Sequence, residues 1–162
     1  MTIQIVQADL HDPRHVAALL AALSAYALDP MGGAAPLSDF ARANLVPALL
    51  ANPQALSVLI FVDGEVAGLA NCFMGFSTFA CRPLLNIHDF VILSAYRGRG
   101  LGVALMTEIE AMANARNCCK LTLEVLTGNT IAQDLYRKAG FDAYTLGDDA
   151  GHALFWQKKL AP

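Results

Sequence analysis

Apolar residues recur along the chain first at strand spacing, then at helix spacing, in a readable order. Ile3 and Ile5 alternate with polar neighbours, which predicts a strand over 2–8. Asp12-Pro13 opens a helix through Val16, Leu19, Leu20 and Leu23 that ends before Pro30. A Gly/Pro loop covers 31–36, and a second helix starts near Ser38, where Pro47 is expected to bend or split it. Strands follow at 57–62 and 65–76, joined by the hairpin signal Asp63-Gly64. A loop over 77–83 leads to a central strand at 84–92 and a glycine-rich turn. The next segment repeats Leu101, Leu105, Ile109 and Met112 on one helical face over 101–116. A strand at 120–126, a helix at 129–139, a strand at 141–146, a turn at 147–151 and a strand at 153–159 complete the sheet. Hairpins in the first half and strand–helix alternation in the second indicate an α/β fold with a mixed sheet. With no repeat, low-complexity tract or linker, residues 1–162 read as a single domain.

The turn between the central strand and its helix reads Tyr96-Arg97-Gly98-Arg99-Gly100-Leu101-Gly102. Strand, glycine-rich turn and helix start together present backbone N–H groups and the positive end of a helix dipole to an anion. A diphosphate fits that device, and spacing separates the folds that use it. A P-loop needs Lys-Ser/Thr after its last glycine, whereas Val103-Ala104 follows Gly102. Counting G-x-G-x-x-G from Gly98 or Gly100 ends on Val103 or Leu105, so the dinucleotide fingerprint fails as well. Arg97, Gly100 and Gly102 instead form Arg-x-x-Gly-x-Gly, which resembles the pyrophosphate loop of the GNAT superfamily of acetyl-CoA-dependent N-acetyltransferases. Further on, Asn129, Ala132, Tyr136 and Gly140-Phe141 stand as N-x-x-A-x-x-x-Y-x-x-x-G-F, similar to that superfamily's second signature. The resemblance extends over roughly residues 56–158, and the earlier part matches only in coarse pattern.

The resemblance implies the GNAT fold, a mixed sheet of six to seven strands flanked by about four helices. It also implies a function: transfer of an acetyl group from acetyl-CoA to a primary amine of a small molecule in a ternary complex. The backbone of Phe90, Val91 and Ile92 would hold the pantetheine arm like an added strand. Arg97, Gly98, Arg99, Gly100, Leu101, Gly102 and Val103 would hold the pyrophosphate. Asn129 would contact the pantetheine, and the Tyr136 hydroxyl would hydrogen-bond the departing sulfur. Full proton transfer from a phenol to a thiolate is uphill by about 2 kcal/mol at ordinary pKa values, so a shared hydrogen bond is the expected form.

An alkylamine with a pKa near 10.4 is neutral in only about one molecule in a few thousand at pH 7, so a base is expected. His88 is one choice. It lies in Ile87-His88-Asp89-Phe90, which with Ser94 and Tyr96-Arg97-Gly98 is similar to the spermidine/spermine N-acetyltransferases, where a glutamate stands in place of the histidine. Glu124 in Leu123-Glu124-Val125 is a second, placed like the proposed base of the ribosomal-protein alanine N-acetyltransferases. Asp89 is the third, although alternation along the strand would point it to the opposite face from His88, where capping or orienting backbone is its expected role. Acceptor contacts are expected from Tyr26, His88 and Asp89, with Asp29, Met31 and the 76–82 loop nearby. A protein N-terminus acetyltransferase and a non-catalytic acyl-CoA sensor are the competing readings.

Composition adds limits. Hydrophobic residues make up 56% and charged residues 15%, which leaves little polar cover and suggests a homodimer. A net charge of −3 argues against a nucleic-acid partner. Without a long apolar run or a signal-peptide pattern, a cytoplasmic protein with no membrane partner is expected. The four cysteines lack paired spacing, so no metal is expected.

Overall fold

The computed structural model describes residues 1–147, 149 and 151–160. They form two compact units, Met1–Leu123 and Glu124–Pro162.

The first unit is a five-stranded sheet in the order β1-β2-β3-β4-β5: β1 Ile3–Gln7, β2 Ala55–Val62, β3 Glu65–Ser77, β4 Arg82–Ile92 and β5 Leu121–Leu123. The first four pair antiparallel, and β4 with β5 is parallel. The β2–β3 hairpin turns on Asp63 and Gly64, both at positive φ (51° and 89°), the backbone that an Asp-Gly turn supplies at least cost. Helix α1 (Pro13–Leu28) begins where Asp12 accepts from the N–H of Arg14, with Pro13 at its first position. Ser38 caps α2 (Asp39–Ala51) by accepting from Ala41 N at 3.0 Å. Pro47 neither ends nor splits α2, although its ring leaves the helix one N–H short. Ala18, Leu19 and Ala22 of α1 and Leu49 of α2 pack with Leu59, Leu69 and Val91 on one face of the sheet. Side chains alternate along strands, so Val58 and Ile60 turn to the other face, where α3 (Leu101–Ala115) buries Leu101, Leu105 and Ile109.

In the second unit, α4 (Thr130–Lys138) starts at Asn129, whose Oδ1 accepts from Ala132 N, and stops before Gly140 at φ 88°.

The strand count differs from expectation. Beyond Leu123 the described residues form no strand, so the strands expected at 141–146 and 153–159 are reduced to one isolated bridge, Thr145 to His152. A strand needs a partner's main-chain groups. Among the described residues the backbone bond from Ala153 N to Tyr144 O joins the two stretches beside that bridge, and Leu146, Leu154, Phe155 and Trp156 are exposed. The strand expected at 120–126 is likewise limited to β5. The turn expected over 147–151 falls partly on residues outside those described.

Candidate functional site

The centre of the first unit is a break in the β3–β4 ladder. Asn71 pairs with Asp89 and Cys72 with Ile87, so His88 is an extra residue, a β-bulge on β4. The parallel ladder with β5 ends at the same place: Ile87 with Leu123 is its last pair. Asn86 closes that ladder by donating from Nδ2 to Thr122 Oγ1 at 3.1 Å. Residues 88–92 of β4 thus run on past the end of β5.

The bulge corrects the expected geometry of His88 and Asp89. The ring of His88 meets that of Phe73 edge-on at 5.7 Å, and Asp89 Oδ2 accepts from Asn71 Nδ2 at 3.0 Å. Asn71 and Phe73 are two apart on unbulged β3 and share a face. His88 and Asp89 therefore both serve the face covered by α1, because one extra residue cancels one step of alternation.

Tyr26, near the end of α1, shares that face. Burial first, then the charges of Asp89 and Asp29, raise its hydroxyl above its usual pKa. Gly32 closes the turn after α1 against the Tyr26 carbonyl so tightly that any side chain there would strike the backbone. Tyr26, His88 and Asp89 are thus brought together. Ser57 and Asn71 join them through a 2.6 Å hydrogen bond, and the sequence reading missed both. Their signal was present: each is a polar residue inside an otherwise apolar strand.

The glycine loop leaves β4 through a short 3-10 turn, Ser94–Tyr96. Gly98 (φ 75°) and Gly100 (φ 77°) are left-handed, and an added Cβ at either would meet nothing within 4 Å. No side chain caps α3, whose first turn is closed by Ala104 N donating to Gly100 O. The N–H groups that lead a helix lack partners within it, and beside two glycines with open space at their Cβ positions they fit a diphosphate. Leu101 is buried, and Gly102 and Val103 continue the helix start. Arg97 is engaged elsewhere, with Asp29 Oδ2 and the Ile92 carbonyl, each at 2.8 Å. Arg99 lies 5.5 Å from the Tyr96 ring centre and donates to Ala95 O. On β4, Val91 spends its side chain in the core, while Phe90 and Ile92 are half-buried.

A family model described as the acetyltransferase (GNAT) family matches residues 19–141. The chain belongs to the GNAT acetyltransferase family. An N-alpha-acetyltransferase of Sulfurisphaera tokodaii is 34% identical over 103 residues, 55% of this chain and 62% of the relative. A streptothricin acetyltransferase of Streptomyces lavendulae is 34% identical over 84 residues, 52% of this chain and 42% of the relative. These matches therefore span roughly half the length of the curated relatives. Among solved structures, AAC(6')-Iy in complex with the bisubstrate analog CoA-S-monomethyl-acetylneamine superposes with a TM-score of 0.75 at 18% identity, covering 99% of this chain and 100% of that one. That likeness shows the GNAT fold.

In the second unit, Tyr136 is buried and its ring lies 6.0 Å from that of Phe141. Asn129 caps the start of α4, Tyr136 lies in its last turn, and Glu124 precedes it, exposed. Among the described residues no group of three or more His, Cys, Asp or Glu could hold a metal, and no helix is long and apolar enough to cross a membrane.

Proposed function

We propose that this GNAT chain moves the acetyl group of acetyl-CoA to a primary amine of a small molecule. The observation that carries the reading is the bulge at His88. It turns a proton acceptor and a carboxylate to one face where β4 runs past β5, one short turn before the glycine loop. Acetyl-CoA supplies the activated thioester. Gly98, Gly100 and the first N–H groups of α3 hold its diphosphate, and the 90–92 backbone lies along its pantetheine arm.

The protonated acceptor meets Asp89, and His88 takes the proton that must leave before the nitrogen lone pair can attack. As the C–N bond forms and the C–S bond breaks, sulfur departs with the electron pair, and the second proton, shed by the now cationic nitrogen, ends on that thiolate. The Tyr136 hydroxyl hydrogen-bonds that sulfur, a role that rests on its position in the family motif. A small-molecule acceptor is supported by the streptothricin acetyltransferase relative. The N-alpha-acetyltransferase relative, together with Glu124 in Leu-Glu-Val, favours a second reading in which a peptide N-terminus is the acceptor. Exposed Leu28, Phe40 and Phe79 are consistent with a homodimer.

The test is thiol release from acetyl-CoA against alkylamines, amino acids, polyamines, aminoglycosides and N-terminal peptides. Turnover of one small-molecule class is expected. Turnover of peptides alone would replace the first reading with the second, and acetyl-CoA binding without any turnover would favour a sensor.

A further inference from the structure

Ser57, Asn71 and Asp89 stand side by side on β2, β3 and β4. Ser57 pairs with Asn71 and Asn71 with Asp89 in the ladder register. Their side chains repeat that row: Ser57 Oγ donates to Asn71 Oδ1 at 2.6 Å, and Asn71 Nδ2 donates to Asp89 Oδ2 at 3.0 Å. A carboxylate only accepts, so the amide must turn its NH2 toward Asp89 and its oxygen toward Ser57, whose hydroxyl must then donate. The charged end orients all three groups. Among the described residues Ser57 (7% exposed) and Asn71 (3% exposed) are the buried polar ones, at positions where an apolar side chain would pack without needing a partner. The row opens toward solvent only at its half-buried Asp89 end. Tyr26 lies within the field of that carboxylate, and the His88 ring packed on Phe73 borders the same face. A carboxylate among aromatic rings suits an ammonium group.

We propose that Asn71, locked by Ser57, holds Asp89 as the docking carboxylate for the acceptor's ammonium group and so selects a cationic acceptor. The inference rests on the acetyl-transfer reading above. Asn71 is a positioning residue: its NH2 pins one carboxylate oxygen and leaves the other to the ligand. A free Asp89 rotor would offer the same charge without a fixed direction.

The test compares the wild type with Asn71→Ala, Ser57→Ala and Ser57→Thr, using an alkylamine and an alkoxyamine, which is uncharged at pH 7. Loss of a hydrogen bond to a charged group predicts that Asn71→Ala raises KM for the alkylamine about tenfold. Its kcat and its acetyl-CoA affinity are expected to stay near wild type, and KM for the alkoxyamine to move little. Ser57→Ala should show a weaker form of the same split, and Ser57→Thr, which keeps the hydroxyl, should restore it. The serine pair carries the test if Asn71→Ala does not fold. Equal KM changes for both acceptors, or a fall in kcat alone, would overturn the proposal. Calorimetry with triethylammonium, which gives no stable acetyl product, reads docking without turnover. If the wild type turns over no amine but binds this ion about tenfold more tightly than Asn71→Ala does, the transfer reading fails and the docking stands. No binding of the ion by the wild type overturns the docking itself.

Discussion

Arg97 Nη2 lies 2.8 Å from Asp29 Oδ2, and through that bond the glycine loop is tied to the end of α1. The same carboxylate accepts from Met31 N at 2.9 Å through its other oxygen, and Arg97 Nε holds the Ile92 carbonyl. One ion pair therefore sets the end of β4, the start of the loop and the turn that follows Tyr26. Arg97 thus braces the glycine loop from behind, against the end of α1 and the last carbonyl of β4.

Arg97→Met is expected to cost about 0.5–1 kcal/mol at neutral pH, the scale of a partly exposed pair. The hydrogen bond from Arg97, and then that from Met31 N, lower the Asp29 pKa below its ordinary 3.8. A lowered folded-state pKa stabilises the fold above the unfolded value and loses that contribution as pH falls through the folded one. The difference between wild type and Arg97→Met in urea midpoint should be full at pH 6 and shrink below pH 3.8. A difference that does not shrink at all as pH falls from 6 to 2.5 would show that Arg97 acts through packing and its bond to the Ile92 carbonyl rather than through the ion pair.

Gly100→Ala isolates the loop. Nothing stands within 4 Å of the added Cβ, so its cost to folding is the left-handed backbone (φ 77°), about 1–2 kcal/mol. Gly64→Ala carries similar strain (φ 89°) at the β2–β3 hairpin. Both variants should lose comparable stability. Acetyl-CoA affinity, read by calorimetry, should fall about tenfold or more only in Gly100→Ala, where a methyl stands between backbone N–H groups and phosphate. An equal change in both would remove the loop from the cofactor site.

The parts of the fold set by local chemistry were legible in the chain. Asp63-Gly64 specified its hairpin, Asp12-Pro13 and Ser38 their helix starts, and Gly140 a helix stop. The loop glycines and the Tyr136 motif likewise pointed to the family that the match over 19–141 shows. What depends on register was not legible. The bulge at His88 follows from how β4 seats against β3, and no local residue announces it, so His88 and Asp89 were assigned to opposite faces. The partners of Arg97 lie far off in sequence, at Asp29, and composition cannot pair them. The apolar alternation after Phe141 reads as strand, yet alternation records only what a strand would bury and not whether an edge is there to receive it.

Cys72 and Cys81 should separate cleanly in thiol labelling. Cys72 is buried beneath the sheet, and burial, with a smaller contribution from the Asp89 charge, pushes its thiol up to about 12. Because the thiolate is the nucleophile, Cys72 should stay unlabelled by iodoacetamide at pH 8 while exposed Cys81 reacts. Mass spectrometry of the native protein checks this. Labelling of Cys72 at the rate of Cys81 would mean that β3 and β4 open readily.

Tyr136→Phe removes one hydroxyl from a buried ring and keeps its contact with Phe141. If that hydroxyl serves the departing sulfur, kcat should fall by about 10²-fold while acetyl-CoA affinity stays near wild type. Unchanged turnover would remove Tyr136 from the reaction.

The choice of base rests on how a loss of rate varies with pH. An alkylamine with a pKa near 10.4 is neutral in about one molecule in 2,500 at pH 7 and about one in nine at pH 9.5. An enzyme that lacks its base must wait for neutral amine, so its deficit is largest at neutral pH and narrows as alkali does the work. His88→Gln is expected to lower kcat/KM by about 10²-fold at pH 7 and by much less at pH 9.5. Glu124→Gln should then show a small deficit, flat across the same range. A flat deficit in His88→Gln would leave that ring a packing role on Phe73. A narrowing deficit in Glu124→Gln would move the base to the Leu-Glu-Val segment and, with it, favour the peptide N-terminus as acceptor.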